Sequence, residues 1–238
     1  QNTNSSQYTL PLYRRGSGGG FFFFLFLFIL SFSNLSAQNE LLQEIKEGNF
    51  KGPEKKIEKT LTNDPNDITA NYLKANLLIQ KKYENYNPDL AYKHILLARE
   101  LFDKITDKNT LTELRKDKIS NTSIKLTLGN VYKAAMDNAS TINTPEAYQH
   151  FLAYYTTADE SYQLKAKEKI DMMAFDKIKN SNCVPCYEKF ISQHSSPKAT
   201  YLAQQKIYQL EYEATQLINT KEAYKAYMDK YPTSSFYT

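Results

Sequence analysis

The chain has 238 residues, of which 41% are hydrophobic and 24% charged, with a formal net charge of +4. That balance suits one globular domain or one compact repeat array and excludes a disordered chain. Four of the seven glycines (Gly16, Gly18, Gly19 and Gly20) precede residue 21, leaving Gly48, Gly52 and Gly129 for the rest. Hairpins, phosphate loops and dinucleotide turns draw on glycine for positive φ, so a β-sandwich, a P-loop enzyme and a Rossmann enzyme are excluded.

No Asp or Glu occurs before Glu40. Arg14 and Arg15 precede the apolar run Phe21–Phe32, which is followed by Ser33-Asn34-Leu35-Ser36-Ala37-Gln38. A basic start, a short apolar stretch and a small residue at a cut site describe a secretory signal peptide, and the run falls short of the roughly 20 residues that a bilayer span needs. The expected cut lies between Ala37 and Gln38, with residues 1–37, including an upstream extension, removed. Gln38 stands where a lipoprotein would need Cys, so no lipid anchor is expected and no membrane span remains after cleavage. Losing Arg14 and Arg15 lowers the net charge of +4 by two, too little positive charge for a nucleic-acid partner.

Seven prolines follow: Pro53, Pro65, Pro88, Pro145, Pro185, Pro197 and Pro232. Each sits beside turn or capping residues, at intervals that match single helices. Between them apolar residues recur every three or four positions, as in Leu90, Ala91, Ile95, Ala98, Leu101 and Phe102, with Lys93, Arg99, Glu100 and Lys104 largely outside that face. The pattern predicts helices near 39–48, 53–62, 67–83, 88–105, 109–117, 121–140, 144–156, 159–180, 184–193, 197–218 and 220–230. The least defined boundary is Ile119-Ser120-Asn121, where one helix could run through.

Residues 38–140 read as degenerate helical repeats and 141–238 as clearer ones. Ala147-Tyr148-Gln149-His150-Phe151-Leu152 recurs as Cys186-Tyr187-Glu188-Lys189-Phe190-Ile191 and as Ala223-Tyr224-Lys225-Ala226-Tyr227-Met228. In the companion helix, Ala166, Ile170, Met173 and Phe175 match Ala203, Ile207, Leu210 and Tyr212. Helix pairs repeating at 37–39 residues predict an all-α fold, an α-solenoid of antiparallel helix pairs. The expected repeat core is Ala147, Phe151, Cys186, Phe190, Ala223, Tyr227, Ala166, Ile170, Ala203 and Ile207. In the first half, Tyr72, Ala75, Asn76 and Ile79 followed by Ala91, Ile95 and Ala98 form a looser copy. This resembles the tetratricopeptide repeat in its small–large–small spacing, with Asn76 where that family has Gly or Ala and a loop about three residues longer than the 34-residue period allows. The resemblance implies stacked helix pairs exposing a concave face. The last repeat stops at Tyr231–Phe236, where its companion helix should begin, and reads as truncated.

Cys183-Val184-Pro185-Cys186 holds both cysteines of the chain. At a helix N-terminus this spacing lowers the first thiol's pKa. Redox enzymes place the motif after a strand, haem attachment needs His where Tyr187 stands, and a zinc site needs a second ligand pair. A local disulfide or plain packing is the favoured reading, with thiol–disulfide oxidoreductase chemistry through Cys183 and Cys186 as an alternative. His94, His150 and His194 stand alone, without metal or catalytic spacing. No catalytic residue, cofactor site or metal site is assigned. Among the 19 tyrosines, Tyr154, Tyr155, Tyr162, Tyr201 and Tyr208 are candidates for lining a partner-binding face, with core packing the simpler alternative. The expected function is a non-enzymatic exported scaffold or adaptor for a protein or peptide in the cell envelope, periplasmic or outer-membrane associated. An alternative is the N-terminal arm of a longer envelope protein.

Overall fold

A computed structural model describes residues 37–236. The signal-peptide reading therefore falls almost wholly outside the described residues. Within them the chain is all-α: α1 (Ala37–Glu47), α2 (Lys51–Asn63), α3 (Ile68–Leu78), α4 (Pro88–Asp103), α5 (Lys108–Lys116), α6 (Asn121–Ile142), α7 (Pro145–Tyr154), α8 (Glu160–Ile178), α9 (Val184–Gln193), α10 (Pro197–Ile218) and α11 (Lys221–Lys230). Most boundaries fall where capping chemistry predicts them. Asp67, Asn87, Asp107, Ser120, Thr144, Cys183 and Thr220 each accept from a backbone N–H of the first turn of the helix they open, satisfying donors that a helix start leaves unpaired.

One boundary needed tertiary information. The helix expected over 67–83 ends at Leu78, and the following turn folds back as the Asn87 N–H donates to the Leu78 carbonyl at 2.9 Å. That turn carries Tyr83 inward, buried against Phe50 with ring centroids 5.4 Å apart and bonded to the Glu54 carboxylate. Burial, reinforced by Glu54, pushes the Tyr83 phenol up to about 12. At 116–121 the chain breaks: Lys118 adopts φ 58°, and Ser120 forms a capping box with Ser123 that starts α6 afresh.

Helix α3 is the centre of the first half. Every residue from Thr69 to Leu78 is buried, because α1, α2, α4 and α6 all pack on it. Three of its polar side chains are paired within the fold. Lys74 meets Glu58, Asn76 faces Thr127 of α6 at 3.4 Å, and Asn71 donates to the carbonyls of Pro65 and Asp67. Asn76 thus occupies the small-residue position by bonding across the contact. On α4, Ala91, Ile95, Ala98 and Phe102 are buried as expected, whereas Leu90 is exposed.

The second half repeats in part: α6 and α10 share length and cap, whereas α8 between them has 19 residues and ends at Lys179 in a right-handed conformation. Helices α6 and α10 are both 22 residues long and end at Asn143 (φ 53°) and Asn219 (φ 51°). Asparagine tolerates this left-handed conformation better than most residues. Each C-cap asparagine then accepts from a tyrosine five residues on, Tyr148 at 3.3 Å and Tyr224 at 3.4 Å. Helices α7, α9 and α11 are each ten residues long. Phe151, Phe190, Tyr227, Ala166, Ala203 and Ile207 are buried and Ile170 packs partly against the core. The small position is different: Ala147 and Ala223 are only half-buried, and Cys186 is exposed. The buried stripe of α7 runs through Tyr148, Phe151 and Tyr155, one residue along from the alanine, so Tyr148 and Tyr187 take the inward position.

Candidate functional site

Helices α4, α6 and the α7–α8 loop enclose a groove of about 370 Å³. Ile124 and Leu128 form its apolar wall, and Arg99, Lys125, Thr157 and Asp159 reach it from three segments. Gly129 adds to the opening, since a Cβ there would meet nothing within 4 Å. The hydroxyls of Tyr92 and Tyr132 converge on Thr157 Oγ1 at 2.8 and 2.6 Å. Burial pushes the Tyr132 phenol above its ordinary range, partly countered by the Thr157 bond and the positive charge of Arg99, so the phenol stays protonated at neutral pH. Arg99 itself is half-buried and, among the described residues, makes no hydrogen bond or ion pair. A guanidinium carries five donors in a planar fork suited to carboxylate or phosphate.

The tyrosines singled out from the sequence divide between this region and the distal helices. Tyr154, Tyr155 and Tyr162 join Tyr92 and Tyr132 in one aromatic cluster, with Tyr92–Tyr155 centroids 4.9 Å apart and Tyr132–Tyr162 at 6.5 Å. Tyr155 is buried and bonded to Asp89, which also receives His150 Nε2 at 2.9 Å. Burial, then Asp89, drives the Tyr155 phenol far above its usual value. Tyr155 therefore ties α7 to the first turn of α4 and presents no face to a partner. Tyr208 is likewise buried, its hydroxyl on Thr233 at 2.9 Å, whereas Tyr201 is 61% exposed on α10, remote in sequence from the cluster.

Sequence reading missed Tyr92, Tyr132, Thr157 and the placement of Arg99. The available signal was the spacing of Tyr92, Arg99 and Asp103 at roughly two turns and one turn along α4. All three histidines have partners: His94 with Asn71, His150 with Asp89, and His194 with Asp171, the last at 2.7 Å. Cys183 and Cys186 are joined in a disulfide at the start of α9, with Cα atoms 5.2 Å apart. Among the described residues no group of three or more His, Cys, Asp or Glu could hold a metal ion, and no helix is long and apolar enough to cross a membrane.

The chain gives no significant match to a protein-family model, to a curated protein or to a solved structure.

Proposed function

We propose that the chain is an exported, tetratricopeptide-like helical-repeat scaffold that binds a peptide segment of a protein partner in the cell envelope, using the groove between α4, α6 and the α7–α8 loop. The basic, apolar and small-residue order of residues 14–37 supports export. The repeated caps of α6–α7 and α10–α11, and the dominance of packing between helices near each other in sequence, support stacked helix pairs. The observation that carries the binding reading is Arg99, held half-buried at the groove without a hydrogen-bond or ion-pair partner among the described residues. An acidic side chain on the partner would supply the missing charge-assisted bonds.

The test is selection of peptides from a random library against the full chain, followed by affinity measurement. Selected peptides should carry an acidic residue and lose about tenfold or more in affinity toward Arg99→Ala, the size expected for one lost charge-assisted bond. Peptides that bind the variant equally well would place recognition elsewhere.

A further inference from the structure

Helices α7, α9 and α11 open with the same turn. The N-caps are Thr144, Cys183 and Thr220, and the residues three further on are Ala147, Cys186 and Ala223. In each case the N-cap side chain accepts from that backbone N–H, at 3.3 Å for Thr144, 3.2 Å for Cys183 Sγ and 3.2 Å for Thr220. Two of the three helices hold this turn with a hydroxyl alone. The third carries sulfur at both positions and joins them.

The fold does not require that bond. A crosslink across a sequence separation of three closes a very short loop, where the entropic gain from crosslinking is smallest. Helix α9 is already anchored by buried Phe190 and by buried Tyr187, whose hydroxyl donates to the carbonyls of Ile178 at 2.8 Å and Ser181 at 3.0 Å. The pair also lies at the surface, with Cys186 exposed and Cys183 half-buried. A disulfide that is dispensable to its helix and open to solvent has the placement of an exchanging pair rather than a staple.

We propose that Cys183–Cys186 is a reversible redox site that exchanges with a dithiol-bearing partner protein. A partner thiolate attacks the sulfur of Cys186, the more exposed residue of the pair, forming a mixed disulfide and breaking the Cys183–Cys186 bond. Cys183 departs with the electron pair as a thiolate, retained as N-cap of α9 by the Cys186 N–H and the positive end of the helix. The partner's second thiolate then attacks its own sulfur in the mixed disulfide and releases Cys186. The partner is oxidised by two electrons to its disulfide, and this chain, after taking up two protons, is reduced to the dithiol. The exchange is independent of peptide binding at the groove.

The experiment equilibrates the full chain in glutathione buffers of graded ratio, alkylates it in acid-quenched samples and reads each redox form by intact mass. The disulfide should interconvert fully across the series, and the folded chain should favour the dithiol about tenfold more than the same chain in concentrated urea, about 30 mV for this two-electron couple. Cys183→Ser, which keeps a good N-cap, should accumulate a glutathione adduct on Cys186. Helicity and melting temperature of the oxidised and reduced chains should coincide within a few degrees. A disulfide that never forms or resists the most reducing buffer, an equilibrium unchanged by urea, no adduct on Cys186, or loss of helix on reduction would each overturn the proposal.

Discussion

At the scale of residues, two polar contacts make opposite predictions about rules that look alike in the sequence. Asn71 spends its amide protons on the carbonyls of Pro65 and Asp67, leaving its oxygen to accept from His94 Nδ1 at 2.7 Å. Burial, then the Lys74 ammonium, holds His94 below its usual pKa, against a smaller opposing effect of Glu58. The unfolded chain therefore takes up this proton first. The His94 contribution is fully present above pH about 6.5 and lost as pH falls through its folded value. Urea midpoints measured at neutral and mildly acid pH should converge for His94→Gln more than for the parent chain. Ser196 opens α10 but makes no side-chain cap, and its buried hydroxyl has no partner among the described residues. The Asp171 carboxylate instead receives the N–H groups of Ser195 and Ser196 at 3.2 and 2.8 Å. Ser196→Ala should then change stability by less than about 0.5 kcal/mol, whereas Asp171→Ala, which strands those donors, should cost about 2–3 kcal/mol in urea unfolding.

At the scale of elements, helix starts were legible because they are local: Asn87-Pro88, Thr144-Pro145 and Asp107 carry their caps in sequence. The end of α3 was not, because residues 79–83 continue a helix-compatible pattern and only the pull of Tyr83 toward Phe50 and Glu54 turns the chain away. The repeat was visible in Ala147-Tyr148 and Ala223-Tyr224, although the small residue expected in the core is only half-buried in both copies. The adjacent tyrosine is the buried residue at Tyr148 and Tyr187. Equivalent tyrosines therefore differ in consequence. Tyr148 is fully buried between α6 and its neighbours, whereas Tyr224 is half-buried on the last described helix. Tyr148→Ala should cost about 3–5 kcal/mol, the range for deleting a large core side chain, and Tyr224→Ala under half of that, by chemical denaturation.

At the scale of the whole molecule, packing runs mainly between helices close in chain order, while α3 gathers four neighbours into the largest core. A second buried cluster forms around Phe175, Tyr187, Phe190 and Ile207 of α8–α10. The groove lies within the first of these, where the α4 and α6 tyrosines and the α7–α8 loop meet. Its position was not readable from periodicity, since Arg99 falls on the side of α4 that a single-helix pattern assigns to solvent. Only the approach of α6 and the α7–α8 loop turns that side into a wall. Peptide binding there makes a prediction for the entire chain at once. Backbone hydrogen exchange of the full chain, with and without a selected acidic peptide, should show new protection concentrated in α4, the first half of α6 and residues 155–159. Protection centred instead on α10–α11, or none at saturating peptide, would contradict a scaffold that recognises its partner through Arg99.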